Sequence, residues 1–327
     1  MPLPTLPSSW SALTWQQLTD CWTAKLRYGG NADAARCAAL LALALGSKFQ
    51  VSSFKFDEKT GERLYILKTE TCAAFTVTPR QLAHIARQAL SWMDYPYGDR
   101  GDDAVKDEKG KVIKERREPV VGYVNPNWRD AMQLPQDTME VKGIVFALPQ
   151  LACNNMTWEQ YRSVQPLVPQ LFQQGISDEQ VLLIQAQFTA YCLVPEQVMT
   201  EQPKDRFHPA HTFKFDSERA EQSVPFWQEQ IREGSPIFHI CFQVYQTAIQ
   251  YYEQVYPLLF GSGGKEDPLR DALTGEVNTI NAVMKYAGYQ RQQEVYDSFL
   301  PHVFDILNTM TKEAKEIEKM NSKIKKK

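Results

Sequence analysis

His208-Pro209-Ala210-His211 is the closest histidine pair in this chain of 327 residues, and two imidazoles at that spacing first suggest metal chemistry. A zinc site needs three or four ligands on a rigid frame. Proline inside the pair opposes a regular helix, and no cysteine or carboxylate stands at a matching spacing. No metal is expected there. His84, His239 and His302 each fall on a helical stretch and read as core-edge residues. Gly98-Asp99-Arg100-Gly101-Asp102-Asp103 and Gly261-Ser262-Gly263-Gly264-Lys265 have the glycines of a phosphate loop. Neither continues into Gly-Lys-Ser/Thr after a strand, and the dinucleotide fingerprint is missing too. Nothing has the form of a nucleophile elbow or a histidine-centred triad. Asp102-Asp103 and Asp107-Glu108 are mixed with lysines, as in a solvated charge run. No catalytic residue and no cofactor are therefore expected, and the leading expectation is a non-enzymatic protein. The alternative is an enzyme or metal-dependent protein whose site is assembled from distant residues.

Composition narrows the partners. A net charge of −3 gives no global attraction to nucleic acid or to an acidic membrane, and 43% hydrophobic residues suffice for a sizeable core. The longest apolar stretch, 38–45, is too short to cross a bilayer. Met1-Pro2-Leu3-Pro4-Thr5-Leu6-Pro7 lacks the basic start and apolar run of an export signal. Cys21, Cys37, Cys72, Cys153, Cys192 and Cys241 form no CxxC pair and read as reduced core thiols. A cytoplasmic protein with no membrane contact is expected.

The elements that would position any site are mostly helical. In Leu13-Thr14-Trp15-Gln16-Gln17-Leu18, Thr14 caps a helix, Gln17 reaches back to the cap amide, and Leu13 and Leu18 form a hydrophobic staple. The helix should end near Tyr28 at Gly29-Gly30, and a second runs over 32–45. Residues 50–56 and 63–68 read as a β-hairpin. Pro79 starts a helix with an apolar stripe of Leu82, Ile85, Ala86, Ala89, Leu90 and Met93. Residues 94–119 are charged, with a small hairpin predicted around Glu108-Lys109-Gly110-Lys111, and 120–151 show only short β-like runs between prolines. From Asn155 the chain is helical again. Met156-Thr157-Trp158-Glu159-Gln160-Tyr161 repeats the first cap, box and staple, and Ser177-Asp178-Glu179-Gln180 is a third box. Long helical stretches over 225–259 and 269–325 should split or kink at Pro236 and Pro301. The fold class is thus mainly α, with an α+β N-terminal domain (1–98), a charged linker (99–119) and a mainly helical C-terminal domain (120–327).

Both halves carry features in the same order. Each has a Thr-Trp helix start, then Gly-Gly-Asn-Ala-Asp or Gly-Ile-Ser-Asp, then an apolar helix, then Phe-Lys-Phe-Asp at 54–57 and 213–216. Either a helical module is duplicated or a good helix start arose twice. In the terminal helix Val303, Leu307, Met310, Ala314, Ile317, Asn321 and Ile324 follow alternating four- and three-residue steps, a heptad seam. That seam docks on its own domain, or pairs with a partner or a second copy. The last lysines offer only salt-sensitive, nonspecific attraction to nucleic acid. Candidate partner-binding residues are Val303, Leu307, Met310, Ile317 and Ile324, with Trp15 and Trp158 of the repeated starts. Phe238, Phe242, Tyr245, Tyr252 and Tyr256 fall near one helix face, a core face unless it is exposed.

Met156-Thr157-Trp158-Glu159-Gln160-Tyr161-Arg162, Leu273-Thr274-Gly275-Glu276-Val277-Asn278-Thr279-Ile280-Asn281 and Lys312-Glu313-Ala314-Lys315-Glu316-Ile317-Glu318-Lys319-Met320 resemble segments of tail-assembly, chaperone-like proteins of tailed bacteriophages and prophages. The resemblance covers a small fraction of the chain. It implies a helper in the host cytoplasm, without enzymatic activity, that holds a long helical tail protein while the tube is built. A virion component would share these features. The hairpin at 50–68 and the charged segment depart from a purely helical helper.

Overall fold

A computed structural model describes residues 10–28, 32–45, 50–56, 63–68, 75–90, 105–106, 112–114, 133–196, 214–260 and 268–324, with Pro7, Gly61 and Met93. The chain falls into two compact units, residues 1–135 with 233–243 and residues 136–232 with 244–327. The fold is mainly helical, with small antiparallel sheets.

In the first unit a 3-10 turn, Trp10–Ala12, leads into α1 (Trp15–Tyr28). The predicted box forms: the Thr14 amide donates to Gln17 Oε1 at 2.9 Å, and the Gln17 amide to Thr14 Oγ1 at 3.3 Å. Leu13 and Leu18 are both buried. Two donors that would otherwise lack intrahelical partners are satisfied by side chains, which fixes the helix start. α2 (Ala32–Leu45) packs on α1. β1 (Gln50–Phe56) and β2 (Arg63–Lys68) pair antiparallel as expected, with a register shift between Val51 and Ser53. β3 (Phe75–Val77), not foreseen, adds to β2. α3 (Pro79–Ala89) starts on a Thr78–Gln81 capping box with proline in its first turn, and Ala86, Leu90 and Met93 are buried. β4 (Val105–Lys106) and β5 (Val112–Lys114) pair antiparallel where the small hairpin was predicted.

The second unit opens with β6 (Thr138–Val141) and β7 (Ile144–Ala147), a hairpin turning on Lys142 and Gly143 at φ 48° and 83°. That is the primed two-residue turn whose twist matches paired strands. Met139 and Phe146 are opposite each other and both buried, and β8 (Val194–Pro195) completes the sheet. A 3-10 turn, Leu151–Cys153, comes next, with Ala152 and Cys153 both at φ 53°. The Asn155 side chain clamps this loop, accepting from the Gln150 amide at 2.8 Å and donating to Leu148 O at 2.9 Å.

α4 (Trp158–Val164) starts on the second predicted box and α6 (Asp178–Cys192) on the third, with the short α5 (Leu167–Gln170) between them. α6 packs on α7 (Ser217–Arg232). The expected helix start at Pro225 is corrected: the helix begins at Ser217, and Pro225 lies inside α7 on an exposed position. The Asp216 carboxylate accepts from the Arg219 amide at 3.1 Å, a cap that outranks the proline as a start signal. The break before α8 (Ile237–Val255) comes at Gly234 (φ 93°), Ser235 and Pro236, as expected. Residues 237–243 of α8 belong to the first unit and 244–255 to the second.

α9 (Pro257–Phe260), α10 (Pro268–Ala287), α11 (Gln292–Tyr296) and α12 (Leu300–Ile324) complete the second unit. Pro301 splits nothing: it sits in the first turn of α12, where its missing N–H costs no bond. The chain breaks instead around Gly288 (φ 75°) and again before Leu300. Phe188 meets Tyr245 edge-on at 5.5 Å, and Trp227 meets Phe146 at 4.9 Å. Phe238, Phe242, Tyr245, Tyr252 and Tyr256 are all buried, so the aromatic face of α8 and the residue after it is core. Cys21, Cys153, Cys192 and Cys241 are buried thiols. The histidine pair at 208 and 211, both glycine-rich segments, Cys72 and the acidic pairs at 102–103 and 107–108 lie outside the described residues.

Candidate functional site

The terminal helix changes character along its length. Its first turns are core: Leu300 and Val303 are completely buried, with Phe304 and Ile306 nearly so. Phe304 is the hub of an aromatic cluster, with Trp158, Tyr161, Tyr252, Tyr256 and Phe260 at centroid distances of 5.1 to 6.2 Å. The backbone ties the starts of α4 and α12 together. The Trp158 amide donates to Ser298 O at 2.8 Å and the Leu300 amide to Met156 O at 2.9 Å. Tyr256 donates its hydroxyl to Asp305 Oδ1 at 2.6 Å. Burial first, and then that carboxylate, push the phenol pKa up, so Tyr256 stays a hydrogen-bond donor throughout the neutral range.

Leu307 and Met310 are half-buried, and beyond them the helix emerges. Every described side chain from Lys312 to Asn321 is exposed, including Ala314. Ile317 is 55% and Met320 57% exposed, more than any other large hydrophobic side chain described. Tyr286 on α10, itself 45% exposed, donates to Glu313 Oε1 at 3.2 Å. The heptad seam read from the sequence therefore has a docked half and an open half.

The predicted contact residues divide accordingly. Val303 is core, Leu307 and Met310 lie at the boundary, and Ile317 is open. The helix reaches Ile324, whose side chain lies outside the described residues. Trp158 is buried with the first turns of α12, and its indole N–H has no acceptor among the described residues. Trp15 belongs to the first unit and is half-buried. Met320 was missed because it stands one step off the strict seam. Its signal was present in the sequence, an apolar residue three positions after Ile317 on the same side of the helix.

The first unit brings together a cluster that no motif announced. Trp10 and Trp22 stack at 5.8 Å, and Trp22 stacks on His239 at 5.5 Å. The Trp22 indole donates to Gln243 Oε1 at 2.7 Å. Lys25 Nζ lies 5.4 Å from the Trp22 ring centre and 5.9 Å from that of Trp10, and donates to Met93 O at 2.6 Å. Burial, with the Arg36 charge added, lowers the Lys25 ammonium pKa to about 7. Burial and Lys25 lower His239 to about 4.

Among the described residues no group of three or more His, Cys, Asp and Glu side chains is placed to hold a metal. No described helix is long and apolar enough to cross a membrane. Comparison of the chain with protein-family models, curated proteins and solved structures finds no match.

Proposed function

We propose that this is a non-enzymatic assembly and interaction protein that takes up a helical partner along the open half of α12, as a tail-assembly helper of the phage and prophage class that its segments resemble. The observation that carries the reading is the seam that continues past the end of its own docking surface, from buried Val303 to exposed Ile317, with Met320 beside it. Covering the exposed half of two such side chains on binding is worth roughly 1 kcal/mol each. An amphipathic helix laid against another is an established recognition mode that needs no further chemistry. The partner this reading names is a long helical tail protein.

Cutting the chain after Leu300 would strip Val303, Phe304 and Ile306 from the core. The informative change is therefore Ile317→Asp with Met320→Asp. Folding stability should move by no more than about 0.5 kcal/mol, as for exposed positions generally. Affinity capture from phage-induced cells should lose the tail protein recovered with the unaltered chain. If the double variant captures the same proteins, the open half of α12 is not the binding surface. If neither captures a helical protein, the assembly reading fails.

A further inference from the structure

The open half of α12 is charged unevenly along its length. Beyond Met310 its apolar row is Ile317, Met320 and Ile324, in steps of three and four residues. Ile317 and Met320 are the most exposed large hydrophobic side chains among the described residues. Residues 313–318 hold three glutamates and one lysine, whereas 319–324 hold two lysines and no acid. The open helix is thus acidic in its first half and basic in its second.

We propose that this half of α12 pairs antiparallel with the same half of a second copy of the chain. The pair is two-fold symmetric, so each contact is made twice. Ile317 of each copy falls opposite Met320 of the other, as knobs of one helix enter the holes of its neighbour. Glu316 and Lys323 stand one residue before Ile317 and Ile324. Positions on that flank face their own kind across an antiparallel pair, so Glu316 of each copy meets Lys323 of the other. On the other flank Ala314 falls beside Asn321 of the second copy, both uncharged. Ala314, Glu316 and Asn321 are all exposed in the single chain.

The same residues oppose a parallel pair. That arrangement sets Glu313 on Glu313 within the row, acidic half on acidic half and basic half on basic half, and like charges so placed repel. It also brings the docked turns of both copies, up to Met310, side by side, whereas antiparallel pairing sends them to opposite ends. The overlap from 313 to 324 is about three turns of each helix. Such a contact is well below the size of a stable interface, so the pair is weak and concentration-dependent. A helical partner would cover the same Ile317 and Met320, and the two modes exclude each other. Self-pairing requires no such partner, so it stands or falls separately from the tail-assembly reading.

Sedimentation equilibrium of the full chain, from about 10 μM to about 1 mM, tests this. The average mass should climb from one chain towards two, and Ile317→Asp with Met320→Asp should hold it at one. Glu316→Lys and Lys323→Glu, each alone, should raise the dissociation constant about tenfold, because two attractive pairs become two repulsive ones. Mixed in equal amounts, these two variants should recover at least the affinity of the unaltered chain, since each contact then joins a lysine to a glutamate. An unaltered chain that stays single at the highest concentration would overturn the proposal, as would a dimer that the double aspartate variant leaves intact. A mixture no tighter than its components would overturn the antiparallel register.

Discussion

Two helices in this molecule begin with the same instructions and end differently. α1 and α4 each start on threonine, glutamine three residues later, and an apolar staple. α1 then runs unbroken for 14 residues, while α4 stops after 7. Eight residues past each tryptophan the first stretch has Thr23 and the second Pro166. Proline cannot supply the amide the next turn needs, although Gln165 before it keeps helical angles, φ −53° and ψ −44°. The tryptophans part ways as well: Trp15 is half-buried, while Trp158 packs on Tyr161 and Phe304. A helix start is written locally. Its length is set by residues further along the chain, and the use made of its first side chain by the groups that pack on it.

The sharpest test of that contrast is truncation of the two tryptophans. Trp158→Ala should cost about 3–5 kcal/mol in urea unfolding, because it empties a buried aromatic cluster, while Trp15→Ala should cost under about 2. Equal losses would mean that the two starts are used alike. Thr23→Pro should come next. It transplants the break of α4 into α1 at an exposed position, and should cost about 3 kcal/mol or more with a matching drop in far-ultraviolet helicity.

A smaller effect separates the units by pH. His239 titrates lower folded than unfolded, so its stabilisation is complete above pH 6.5 and is lost as pH falls towards 4. About 1–3 kcal/mol should vanish across that window for the first unit, and His239→Gln should flatten the profile. Smallest are the caps. Thr14→Ala and Thr157→Ala should each cost about 1 kcal/mol by midpoint shift, with Thr157 the larger because its bonds are less exposed.

The boxes at Thr14, Thr157 and Ser177 and the hairpin at 50–68 were legible because each is specified within a few residues. The start of α7 was not: Pro225 is a stronger signal in the sequence than Asp216, yet it stands inside the helix, eight residues after Ser217. Pro301 misled because a proline in a first turn reads the same as one that breaks a helix. β8 is two residues long and exists only because β7 offers an edge, which no local pattern announces. At the candidate surface the seam was legible but its division was not. Heptad spacing reads the same whether a position is covered, as at Val303, or open, as at Ile317. The Lys25 cluster joins residues far apart in the chain, Trp10 to Gln243, and leaves no periodic trace.

The loop at Ala152 and Cys153 has a consequence for the order of events in folding. Two successive residues with side chains are held in the left-handed region, a conformation each resists by roughly 1 kcal/mol. The Asn155 clamp holds the two ends of the loop locally. The Tyr252 hydroxyl, 100 residues along the chain, donates to Ala152 O at 2.8 Å. This last bond should form only when α8 docks, and should complete a loop whose other ties are local in sequence. Tyr252→Phe would then speed unfolding and leave the folding rate nearly unchanged, as expected for a contact absent from the transition state.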